Sequence, residues 1–128
     1  MFVHIQLRAR TEALISFRPL GGRYRLSIKV VGERPRTGGV EPDLMLYPEG
    51  GGLLTLRPVL PLMGSPSGTD WSASYSMEPA QLMLVAIYPM MRLRLDPWTG
   101  PQGVELDDRS IRERLRIAAR LTMGIAVG

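Results

Sequence analysis

The chain has 128 residues, enough for one domain that buries a core without covalent staples. Its lack of cysteine excludes disulfides and thiolate metal sites, and a single histidine argues against a zinc site. The net charge of +4 comes from 16 basic and 12 acidic residues, and because Lys29 is the only lysine, nearly all of the positive charge is guanidinium.

Asparagine is absent, and glutamine occurs only at Gln6, Gln81 and Gln102. Loss of thermolabile amides fits a hot habitat, but eight methionines argue against selection for chemical durability. Codon bias in a GC-rich genome is the simpler explanation. Charge is uneven along the chain. Residues 1–36 carry eight basic and two acidic side chains, residues 37–91 one and five, and residues 92–128 seven and five. Such segregation suits contact with other copies or an assembly partner, and it equally suits pairing within the chain, the commoner case. The opening Met1-Phe2-Val3-His4 has no basic segment followed by a long apolar run, so no signal peptide is expected. The most apolar stretch, 82–91, is about half of a membrane span and is broken by Pro89. A soluble protein, in a virion or the cytoplasm, is the expectation.

Alternation with period two dominates the first thirty residues. Val3, Ile5, Leu7 and Ala9 oppose His4, Gln6, Arg8 and Arg10; Ala13, Ile15 and Phe17 oppose Leu14, Ser16 and Arg18. After Gly21-Gly22, Tyr24, Leu26, Ile28 and Val30 oppose Arg23, Arg25, Ser27 and Lys29. The two runs joined through Pro19-Leu20-Gly21-Gly22 predict a β-hairpin, because glycine supplies the positive φ of a tight turn. Residues 32–52 are rich in Pro and Gly and predict a long loop with a short strand at 43–47. A strand follows at 53–56, and then a second Pro/Gly loop at 57–69.

Trp71, Ala73, Tyr75 and Met77 alternate with Ser72, Ser74 and Ser76, predicting a half-buried strand with a small, smooth outer face. Residues 82–87 are apolar throughout and read as a central strand covered on both faces. Met91, Leu93 and Leu95 then alternate with Arg92 and Arg94. Residues 109–121 contain neither glycine nor proline and are rich in Arg, Leu, Glu and Ala, which predicts a helix capped by Asp107-Asp108 or Ser110. A short last strand is expected through Ile125 and Val127. Together these elements predict one mainly-β domain over 1–128, a β-sandwich or partly closed antiparallel barrel of about six to eight strands with one C-terminal helix.

Motifs for chemistry are sparse. His4 sits on the polar face of the first strand with no indicated partner, so it reads as a surface residue rather than a general base. Ser72, Ser74 and Ser76 lie outside any Gly-x-Ser-x-Gly elbow. Glu105, Asp107 and Asp108 lack the ligand series of a calcium loop and suit a helix N-terminus instead. Gly50-Gly51-Gly52 is not followed by Lys-Ser/Thr, so it is no phosphate-binding loop of the Walker type.

Three arginine-lined faces remain: Arg23, Arg25 and Lys29 on one strand, Arg92 and Arg94 on another, and Arg109, Arg112, Arg116 and Arg120 in a helical stripe. They fit either a polyanion contact or solvated faces paired with nearby acids. Aromatic interleaving, which would favour nucleic acid, is largely missing. No catalytic, metal or cofactor site is expected. The inventory, with Met90 and Trp98 read as exposed apolar residues, favours a non-enzymatic assembly subunit of a larger particle. A virion capsid, decoration or connector protein would fit, associating with itself or other subunits. The alternative is a β module that binds nucleic acid or another polyanion through its arginine faces.

Overall fold

A computed structural model describes residues 1–32, 42–59, 63–64, 70–96 and 98–125 of the chain. The strands are β1 (Val3–Arg8), β2 (Thr11–Leu20), β3 (Arg23–Val31), β4 (Leu44–Pro48), β5 (Leu54–Leu56), β6 (Met63–Gly64), β7 (Asp70–Met77), β8 (Met90–Leu95) and β9 (Val104–Glu105). Helix α1 (Pro79–Ile87) lies between β7 and β8, and α2 (Arg109–Met123) follows β9. Two antiparallel sheets result, in the orders β1-β2-β3-β7-β6 and β5-β4-β8-β9, and neither closes into a barrel.

The first hairpin forms as its sequence dictates. Gly21 and Gly22, at φ 56° and 81°, make a two-residue turn with both central residues at positive φ. That turn sets the register of β2 on β3 without a slip, from Leu20 opposite Arg23 to Glu12 opposite Val31. β3 then pairs with β7 from Tyr24–Met77 to Val31–Asp70. The inner face of this sheet carries Val3, Ile5, Ala13, Ile15, Leu26, Ile28, Val30, Trp71, Tyr75 and Met77, all buried. Leu44, Leu46, Leu54, Leu56, Leu93 and Leu95 of the second sheet join the same core cluster. Several contacts tie the sheets together: the buried Tyr75 hydroxyl donates to the Pro42 carbonyl at 3.0 Å, the Val59 N–H donates to the Ser74 carbonyl at 2.8 Å, and Trp71 packs on Trp98 with ring centroids 4.2 Å apart.

The structure departs from expectation at 82–87, which is helical rather than a central strand. A short apolar run has no period of its own, so its flanks decide. Pro79 occupies the first turn, where its missing N–H costs nothing, and Gln81 Oε1 accepts the Glu78 N–H at 2.8 Å. Extended backbone at Tyr88 and then Pro89 end the helix. Among the described residues α1 is thus a second helix, in addition to the expected C-terminal one. Leu82, Val85 and Ala86 face the core at helical spacing, whereas Met83, Leu84 and Ile87 face out.

α2 matches the expected helix and runs slightly longer. Asp108 caps it by accepting the Ser110 N–H at 2.8 Å; Ser110 itself is not the cap. Gly124, at φ 72°, closes it, with the Ile125 N–H bonded to the Arg120 carbonyl at 2.8 Å. Ile125 is not in a strand, and the remainder of the expected last strand, 126–128, lies outside the described residues. So do 33–41, 60–62 and 65–69 of the two expected loops.

Two apolar residues read as exposed are core. Met90 and Trp98 retain 1% and 2% of their surface. The β4–β8 register shifts between Tyr47 and Pro48, which turns Met90 inward and leaves Met91, expected on the buried face, exposed.

Candidate functional site

The outer face of the first sheet is organised in cross-strand rows. Leu14, Lys29 and Ser72 form one row, Ser16, Ser27 and Ser74 the next, and Arg18, Arg25 and Ser76 the third. Arg23 Nε donates to Ser76 Oγ at 3.0 Å, and its guanidinium lies 3.9 Å from Glu78. Lys29 lies 3.6 Å from Asp70. Arg25 is half-buried, and its Nε is shut off from solvent without a hydrogen-bond partner. The sequence groups Arg23, Arg25 and Lys29 correctly on one face but omits Arg18. Its position opposite Arg25 follows from the turn, since the two residues are equally distant from Gly21-Gly22.

Arg92 and Arg94 share the outer face of β8, where neighbouring acids take up their charge. Arg92 reaches Glu105 at 3.3 Å, across the β8–β9 pair, and lies 5.9 Å from the Tyr47 ring centroid. Arg94 grips Asp96 through Nε and Nη2 at 3.0 and 2.8 Å. The hydrogen bonds to Asp96 are the main cause that raises its pKa above the ordinary guanidinium value, and the neighbouring Tyr47 adds to it.

The α2 stripe divides in two. Arg109 is exposed, and with Arg112 and Arg116 it lines a depression of about 260 Å³ that also holds Glu49, Glu113 and Met91. Arg116 lies 3.5 Å from Glu113 one turn away. Arg120 is turned inward, its Nε donating to the Ala86 carbonyl at 2.9 Å. That carbonyl lies at the C-terminal end of α1, where backbone acceptors lack helical partners and a cation is favoured. Arg120 is thus a tie between helices.

Sequence reasoning missed the remaining surface, because it depends on α1 being a helix. α1 has no charged side chain. It nevertheless exposes Leu84 and Ile87 at 38% and 48%, followed by Tyr88 at 45%. A groove of about 440 Å³ separates Leu84 and Tyr88 from Gly50-Gly51-Gly52 and Leu53 on the β4–β5 turn. A helix apolar on every side is ordinarily covered on every side. The signals that reveal this surface in the sequence are Glu78-Pro79 with Gln81 at the start and Pro89 at the end.

Elsewhere, His4 is exposed opposite Leu14. Asp108 is committed to its cap and Glu105 to Arg92. Among the described residues no group of three or more His, Asp or Glu side chains is placed to hold a metal ion, and no helix is long and apolar enough to cross a membrane. Compared with protein-family models, with curated proteins and with solved structures, the chain gives no match in any of the three.

Proposed function

We propose that the protein is a non-enzymatic assembly subunit that associates with copies of itself through the exposed face of α1. In the specific form we favour, it is a capsid, decoration or connector protein of a virion. The supporting observation is the uncharged helix with Leu84, Ile87 and Tyr88 in water beside the Gly50-Gly51-Gly52 groove. Clustered apolar residues at a surface mark contact sites on soluble proteins. A second copy is the occupant that this chemistry favours. A two-fold contact sets a patch against itself, which repels when the patch is charged and does not when it has no charge. The non-enzymatic part rests on the sequence, whose one histidine and absent cysteine leave few nucleophiles and bases.

Light scattering and sedimentation across a wide concentration range test the proposal. The wild type is expected to form a defined oligomer, and Leu84→Glu or Ile87→Glu to shift it to monomer with an unchanged circular dichroism spectrum. A wild type that stays monomeric throughout, or folded variants that keep the wild-type oligomer, would overturn it.

A further inference from the structure

We infer that the outer face of the first sheet holds a site for a phosphoryl oxyanion, with Arg18 and Arg25 as its cationic arms and Ser16, Ser27 and Ser74 as hydroxyl donors. The inference does not depend on self-association, since this face is turned away from the helices that pack on the other side of the sheet.

The first observation is electrostatic. Arg18 lies directly across from Arg25 in the β2–β3 pair. Like charges directly opposite on one face of a sheet repel. The acids of this face stand elsewhere: Glu78 is taken by Arg23, Asp70 by Lys29, and Glu12 lies opposite Val31 at the far end of the pair. Neither Arg18 nor Arg25 forms an ion pair among the described residues, and Arg25 also keeps an unpartnered, solvent-shielded Nε. An anion between the two guanidiniums removes the repulsion and offers acceptors to both forks.

The second observation is steric and chemical. The row adjoining the two arginines is Ser16, Ser27 and Ser74, in register across three strands, and none of these hydroxyls bonds to the described chain. Each can donate one hydrogen bond outward. These small side chains help to line a depression of about 190 Å³ that Phe2, Leu14 and Lys29 also line. Successive rows lie about 7 Å apart along antiparallel strands. A phosphate ester gripped at the arginine row therefore lays its ester group over the serines and carries an apolar or aromatic part to Phe2 and Leu14. The ligand class is a phosphate ester of nucleotide size, either free or as a unit of a single strand.

Fluorescence anisotropy with a labelled single-stranded oligonucleotide, with inorganic phosphate as competitor, tests the site. Binding is expected to weaken steeply between about 50 and 200 mM salt. Arg18→Gln and Arg25→Gln are each expected to lower affinity about tenfold and reduce the salt slope by about one. Arg109→Gln with Arg114→Gln, on α2, should leave both unchanged. Displacement by inorganic phosphate assigns the site to an isolated phosphoryl group; resistance to it assigns the site to a strand backbone. Arg18 is exposed, so its variant tests the inference even if Arg25→Gln folds poorly. No binding of the oligonucleotide to the wild type, or wild-type binding by Arg18→Gln, overturns the inference.

Discussion

Arg120 Nε and the Ala86 carbonyl oxygen lie 2.9 Å apart, so the last turn of α2 satisfies an acceptor at the end of α1. Removing the guanidinium leaves that carbonyl without its charged donor. Arg120→Met, which keeps the apolar stem, is expected to destabilise the protein by about 1.5–3 kcal/mol, the range for hydrogen bonds to charged groups. Arg109→Met, at an exposed position of the same stripe, is expected to change stability by less than about 0.5 kcal/mol. Urea unfolding of the two variants measures the contrast.

The helical register of α1 predicts unequal costs for neighbouring leucines. Leu82 is fully buried and Leu84 is 38% exposed. Leu82→Ala is expected to cost about 2–5 kcal/mol, as large-to-small changes in cores do. Leu84→Ala, made in the monomer, is expected to cost under about 1 kcal/mol. A strand covered on both faces would make both substitutions expensive, so the pair of melting temperatures discriminates between the two structures.

Two glycines at positive φ differ in what surrounds them. Gly22 has open space where a side chain would go, so Gly22→Ala meets only the left-handed backbone penalty, about 1–2 kcal/mol. At Gly103, φ 73°, an added Cβ would stand 2.7 Å from the Leu93 carbonyl oxygen. Gly103→Ala is therefore expected to cost clearly more than Gly22→Ala and to disturb the β8–β9 pair. Thermal unfolding ranks the two.

The β8 arginines are expected to contribute little to stability despite their ion pairs. Arg92 and Glu105 are both substantially exposed, and a double-mutant cycle on Arg92→Gln and Glu105→Gln should give a coupling under about 1 kcal/mol that fades with salt. Arg92→Gln should also leave oligonucleotide binding unchanged, because Glu105 already neutralises that guanidinium.

The hairpin was legible because Gly21-Gly22 and the flanking alternation are local signals that agree. The same turn determines the facing of Arg18 and Arg25, a relation obtained from the sequence by counting outward from the glycines. α2 was legible through its uninterrupted run of helix formers and the aspartates before it. α1 was not, because Leu82 to Ile87 satisfies a buried strand and an apolar helix equally well, and the deciding residues, Glu78, Pro79 and Gln81, lie outside the run. Met90 and Trp98 were misplaced for a different reason. Their burial depends on the register slip opposite Tyr47 and Pro48 and on a partner ring at Trp71, and both are relations between distant segments. The pairing of Arg92 with Glu105 and of Arg94 with Asp96 also needed the fold, since acids near in sequence reach a strand face only if the next turn brings them there.

Trp71 and Trp98 are the chain's only tryptophans, and their rings meet at 52° where the first sheet joins the segment following β8. Their strong far-ultraviolet indole transitions are therefore close enough to couple, and an exciton couplet belonging to this seam is expected on top of the backbone signal. The backbone signal follows the helices and strands, whereas the couplet follows the docking of one sheet on the other. Any intermediate in which both sheets persist but have parted would be optically distinct from the native state without an added label.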